Sequence, residues 1–168
     1  LFDMIEDIRN NFEENDYIVY GCYQLTKKLT EMLDTINWSD DDFIKGACEY
    51  ILPTNDISMG DEFTCGWYVH SRFRPSPYHF CSVISRNNLI NKLGGFDERY
   101  AEGFAYDDDE LLHRINRLGL NVKLIDEPFV IHQYHPPLNS TRGKYMWKKN
   151  RQLYYDKTLK EDICRAKV

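Results

Sequence analysis

Apolar positions along this chain recur with two different periods, and the alternation between them predicts the elements. In "LFDMIEDIRNNFEEN" Leu1, Ile5, Ile8 and Phe12 share one stripe of a 3.6-residue repeat, which predicts an amphipathic helix. "DYIVYGCYQLT" follows a polar break and is rich in β-formers, so Tyr17 to Leu25 is expected to be a buried strand. A weaker helical pattern runs from Lys27 to Ile36. "NWSDDDFIKGACEYIL" offers Ser39 or Asp40 as the cap of a further helix reaching about Tyr50, and its acidic run marks that helix start.

"PTNDISMGDEF" is a loop by composition. Two short β-rich runs follow, Cys65 to His70 and His79 to Ile84, separated by the proline-punctuated "SRFRPSP". "NNLINKLGG" predicts a short helix with a glycine stop, and "FDERYAEG" an irregular segment. Next comes a helix from about Asp107 to Leu118, with Leu111, Leu112, Ile115 and Leu118 as its apolar face and Gly119 as its terminator. "NVKLI" and "PFVIH" predict two strands, "QYHPPLNSTRG" a loop, and Lys144 to about Ala166 a long polar helix anchored by Tyr145, Trp147, Leu153, Tyr154 and Leu159. Helices alternating with strands make the class α/β, or α+β.

Composition narrows what such a chain can do. It has 168 residues, 42% of them hydrophobic and 14% aromatic, enough to bury a core. The formal net charge of −6 argues against a general nucleic-acid binder, which would carry a basic face. Five cysteines without a C-x-x-C pair point to idle thiols in a reducing compartment. No apolar run approaches the ~18 residues of a membrane span. No signal-peptide pattern follows Leu1, so the expected setting is cytoplasmic, with peripheral membrane attachment left open.

The densest chemistry lies in "YAEGFAYDDDELLHRI", where Asp107 to Glu110 form four consecutive carboxylates ahead of a helical pattern. Acids in a first turn can cap backbone N–H groups and favour the helix dipole, by about 0.3–1 kcal/mol each. On the acids alone, a solvated helix start is the plainer explanation. Their neighbours change it. From Arg86 the chain carries Gly94 to Glu98 (Gly-Gly-Phe-Asp-Glu), the four acids with Leu111, Arg114 four positions beyond Glu110, and His132 at the end of a later strand. This ordered set, about fifty residues long, resembles the acceptor-side half of family 2 glycosyltransferases of the GT-A fold. Galactosyltransferases with a Gly-Glu-Asp-Asp-Asp run are similar at the same place. Asp107 stands where the family usually has Glu.

The resemblance implies the C-terminal half of a GT-A nucleotide-diphospho-sugar transferase fold, a small mixed sheet flanked by helices. Residues 1–140 would form the acceptor-side half and 141–168 a helical extension. It implies transfer of a sugar, with inversion, from a nucleotide-sugar donor to a glycan or lipid-linked acceptor. Asp108 would be the general base, while Asp107 and Asp109 accept hydrogen bonds from acceptor hydroxyls. Glu110 and Arg114, one turn apart, are expected to form a supporting pair. His132 would bind a divalent metal, Mn²⁺ or Mg²⁺, completed by an Asp-x-Asp motif in a nucleotide-binding half that is not found upstream of Asp107; His135 is the weaker candidate. The chain alone would then be inactive.

"CGWYVHSRFRPSPYHF" adds stacking and hydrogen-bonding groups, with Trp67 and Tyr68 as an acceptor platform beside His70, Arg72 and His79; equally, these aromatics can be strand core. Gly94 and Gly95 are expected to serve the backbone, and Trp147 to pack. Two rival functions remain: a carbohydrate-binding module derived from such an enzyme, and an acidic metal-dependent hydrolase using Asp107 to Asp109. The hydrolase would need a second His or carboxylate cluster converging on the acids.

Overall fold

Four successive residues of one strand, Tyr17 to Tyr20, are each at most 1% exposed, and the fold is organised around them. The structure is a computed structural model that describes residues 2–24, 27–32, 35, 81–133 and 141–166. Strand β1 (Asp16–Gln24) lies between β2 (Ser82–Ile84), antiparallel to it, and β3 (Asn121–His132), parallel to it. A strand covered on both faces needs no polar alternation, which is why "DYIVYGCY" is a nearly continuous apolar run. Tyr17 and Val19 face a cluster with Leu93, Leu111, Ile115 and Leu120. Ile18 and Tyr20 face the other way, onto Met4, Ile8 and Phe12. The described residues are thus a small mixed sheet with helices on both sides, an α+β arrangement.

Helix α1 (Phe2–Asn11) covers the second face. Its inward stripe is the buried Met4 and the partly buried Ile8, continued by Phe12 just past the helix end, and Ile5 is 41% exposed. The expected stripe through Leu1 and Ile5 is therefore rotated by about one residue, with Leu1 outside the described residues. The Tyr20 hydroxyl donates to Asp7 Oδ2 of α1 at 2.6 Å, tying helix to strand. The next helix, α2 (Lys27–Met32), covers the first part of the expected Lys27 to Ile36; residues 33, 34 and 36 lie outside the described residues. The expected helix from Ser39 to Tyr50 and the strand from Cys65 to His70 lie outside the described residues.

The two strands expected near the C-terminus are one. β3 pairs Asn121–Ile125 with Asp16–Tyr20 and Val130–His132 with Cys22–Gln24. Between them, Asp126 to Phe129 stand opposite the single residue Gly21. Pro128 has no N–H for the ladder, and the bulge accommodates it beyond a cis Glu127–Pro128 bond.

Helix α3 (Asp107–Leu118) matches its expected limits. Leu111 and Ile115 are buried, and Leu112 and Leu118 pack against them. Gly119, left-handed at φ 73°, ends it: its N–H turns back to Asn116 O, and the Leu120 N–H to Ile115 O. Helix α4 (Thr141–Leu153) starts before the expected Lys144 and continues as a π-helical turn, Tyr154–Leu159. The chain then turns at Asp162 (φ 47°), and Ile163 and Ala166 are buried, with the Ala166 N–H donating to Leu93 O at 2.8 Å. The described cysteines, Cys22, Cys81 and Cys164, are free thiols; burial pushes Cys22 up to about 12. No helix among the described residues is long and apolar enough to cross a membrane.

One ion pair pins the β1–β3 entry. Asp16 accepts from Lys123 Nζ at 2.6 Å and from the Glu13 N–H at 2.8 Å. Burial raises the Asp16 carboxyl, but those donors together outweigh burial and hold it below its ordinary 3.8. Its stabilising contribution is therefore complete above the unfolded value and disappears as pH falls through the lower folded one. Asp16→Asn should be less stable than wild type at neutral pH, and the two urea midpoints should converge once the pH lies well below the folded value. A gap that persists unchanged in acid would assign the loss to packing instead.

Candidate functional site

The acidic helix starts from a strained approach. Two consecutive non-glycine residues, Ala105 (φ 59°) and Tyr106 (φ 66°), are left-handed immediately before Asp107. Each such residue costs of order 1–3 kcal/mol and persists only where its surroundings over-determine it. Here α4 does so. Asn150, buried at 1% exposure, donates its amide to Tyr100 O at 3.1 Å and to Ala105 O at 2.7 Å. The Phe104 N–H reaches Met146 O at 3.3 Å. The Tyr106 ring packs among Trp147, Tyr154 and Tyr155, with centroids 5.7, 5.6 and 6.1 Å away. Gly103 makes the approach possible, since a Cβ there would lie 1.7 Å from Asn150 Oδ1.

The helix cap is not a carboxylate. Tyr106 occupies the N-cap position and makes no side-chain cap bond, so all four acids fall in the first turn. Glu110 then separates from the other three. Both its oxygens accept from Arg114, Oε1 from Nε and Oε2 from Nη2, each at 2.6 Å. Arg114 Nη1 donates onward to Leu93 O at 2.7 Å and Gly95 O at 2.8 Å. Both side chains are essentially inaccessible to water, so the expected supporting pair is present and also clamps the glycine loop. Gly94 and Gly95, at φ 82° and 80°, present those carbonyls, as a backbone role requires. Arg165 closes the loop from outside, donating to Asn91 O, and a Cβ on Gly94 would meet its Cγ at 3.0 Å.

Asp107, Asp108 and Asp109 are half-buried together in the first turn. Asp108 precedes Leu111 and Leu112 by three and four residues, on the stripe that meets the sheet. Its charge is felt by Tyr17 of β1: burial pushes that hydroxyl up to about 12, a hydrogen bond with Ser82 opposes the rise, and Asp108 adds to it. His132 ends β3, opposite Gln24, and is half-buried. Among the described residues no three His, Cys, Asp or Glu gather where they could hold a metal ion, so His132 does not by itself constitute a metal site. Trp67, Tyr68, His70, Arg72, His79 and His135 lie outside the described residues.

Two grooves run along α4. One of about 520 Å³ is lined by Trp147, Lys148, Arg151, Gln152, Tyr155 and Asp156. The other, about 720 Å³, shares Gln152 and Asp156 and extends to Arg99 and Glu102. Neither is lined by Asp107 to Asp109.

The positioning residues Asn150, Gly103 and Tyr106 were not singled out by the pattern of the chain. A weak signal exists for the first: Asn is a poor helix former, and one in a helix interior invites a search for its partners. Trp147, expected to pack, does pack on Tyr106, yet it remains 39% exposed.

Two substitution sets test this construction. Arg114→Met leaves the Glu110 carboxylate buried alone and should cost about 3–5 kcal/mol, much of it recovered in Glu110→Leu/Arg114→Met. Gly103→Ala should cost about 1–3 kcal/mol by overpacking, with marked non-additivity when combined with Asn150→Ala. Urea denaturation reads both. Near-wild-type stability of Arg114→Met, or strict additivity at 103 and 150, would contradict the contacts described.

A scan against protein-family models finds no match to this chain, and no curated protein and no solved structure matches it.

Proposed function

We propose that this chain is the acceptor-side part of an inverting glycosyltransferase of the GT-A kind, and that Asp108 is its general base. The observation that carries the reading is the setting of the acidic turn, half-buried beside the sheet after two left-handed residues and anchored by a buried ion pair. Arg114 occupies both oxygens of Glu110, while Asp107 to Asp109 remain half-buried on a helix start held in a costly conformation. A merely solvated acidic cap has no need of that strain or of a buried clamp beneath it. The motif order from Gly94 to His132 adds the chemical identity.

In the proposed reaction an acceptor hydroxyl attacks the anomeric carbon of a nucleotide-bound sugar. The new C–O bond forms as the bond to the diphosphate breaks, and the hydroxyl proton passes to a carboxylate oxygen of Asp108. Asp107 and Asp109 orient the acceptor through its other hydroxyls. Trp67, Tyr68, His70, Arg72 and His79 belong to the proposal as the acceptor platform. His132 would be one ligand of a divalent cation, Mn²⁺ or Mg²⁺, which would supply charge neutralisation at the diphosphate. No step is assigned to the ion, because the described residues do not assemble a site for it.

The test is a transfer assay on the protein as its cell makes it, across nucleotide-sugar donors and glycan acceptors. Asp108→Asn should lower the rate by about 10²–10⁴ while acceptor binding persists, as loss of a general base does. Unchanged transfer would exclude Asp108 as the base. Acceptor binding that is sensitive to Asp107→Asn and Asp109→Asn, without transfer by wild type, would identify a carbohydrate-binding module.

A further inference from the structure

The charge of this chain is divided between two regions. Residues 141–160 contain seven Lys and Arg and a single Asp, a net +6, in a chain whose total is −6; the remainder therefore carries −12. Helix α4 itself has no acidic residue. A segment that opposes the sign of the whole molecule has an orienting effect that its local charge alone would not have.

The geometry sorts these cations. Lys149 is held by Glu102, Lys157 by Glu161 and Lys160 by Asp156. Lys144, Lys148 and Arg151 form no ion pair among the described residues, and their spacing of four and three puts them on one helix face. Asn150 lies on a different, buried face of the same helix. Aromatic rings border it: Tyr145 is 71% exposed, Trp147 39% and Tyr155 47%. Arg151 lies over the Trp147 and Tyr155 rings, 5.7 and 5.2 Å from their centroids, which leaves its charge beside apolar surface. Lys and Arg flanked by Trp and Tyr on the outer face of a helix match the headgroup region of an anionic bilayer, where cations meet lipid phosphate and amphipathic rings sit at the boundary.

We infer that the outer face of α4 is a docking surface for an anionic membrane, with Lys144, Lys148 and Arg151 contacting lipid phosphates and Tyr145, Trp147 and Tyr155 entering the headgroup layer. The acidic remainder is repelled by the same membrane, so one orientation is selected. This surface stands without the transfer reading.

The experiment is sedimentation of the full chain with vesicles of phosphatidylcholine alone and of phosphatidylcholine mixed with phosphatidylglycerol. Binding should require phosphatidylglycerol and weaken with added salt. Lys144→Gln/Lys148→Gln should lower partitioning by about 30-fold, roughly fivefold for each charge near the surface. Tyr145→Ser should lower it further while leaving the Tyr106 ring cluster intact. All three positions are exposed, so thermal unfolding and circular dichroism should not change. Equal binding to both vesicles, no binding to either, or wild-type partitioning by the lysine pair would overturn the inference. Binding to duplex RNA with no retention on vesicles would also overturn it, identifying a different polyanion. Failure here leaves the assignment of Asp108 untouched, since transfer to a soluble acceptor is read separately.

Discussion

The buried fork between Glu110 and Arg114 is the contact on which the rest of the site depends. A guanidinium this deep can remain only if its donors are used, and here they are used twice: on the Glu110 carboxylate and on the carbonyls of Leu93 and Gly95. One side chain therefore fixes the first turn of α3 to a loop some twenty residues earlier. The same loop carbonyl, Leu93 O, also receives the Ala166 N–H from the far end of the chain. Glycine loop, acidic helix and C-terminal tail thus converge on a few atoms.

Helix α4 supplies the second constraint. Its inner face reaches the Gly103–Tyr106 turn through Asn150 and Met146 and holds two left-handed residues that would otherwise relax. Its outer face is basic and aromatic. One element thus both sets the approach to Asp107 to Asp109 and carries exposed basic and aromatic side chains. At the other end of α3, His113 and Arg117 both face Asp162, at 3.6 and 2.5 Å.

Much of this order was legible where local and tertiary preferences agree. The limits of α3 follow from a strong helical repeat ended by Gly119, and β1 from an apolar run that only a strand buried on both faces can satisfy. The Glu110–Arg114 pair was legible from its spacing, because four residues make one helical turn. Readings failed where tertiary contacts decide. Pro128 looked like the start of a separate strand, and only pairing with β1 reveals a bulge that absorbs it. The stripe of α1 shifted from Ile5 to Met4 because both are apolar, and the position of the sheet selects between them. Asn150 and Gly103 carry no periodic signal; Asn150 matters through the carbonyls it meets, and Gly103 through the space it leaves for Asn150. The four acids are alike in sequence, and what sets Glu110 apart is its burial against Arg114, a contact that only the fold supplies.

The central claim is that Arg114 makes the acidic turn and the glycine loop a single rigid unit. Hydrogen–deuterium exchange of the Arg114→Met protein, under conditions where it stays folded, measures this directly. The account predicts that amides of residues 93–96 and 105–110 lose protection together, beyond any change in β1. Wild-type protection in both segments, or loss in one without the other, would contradict it.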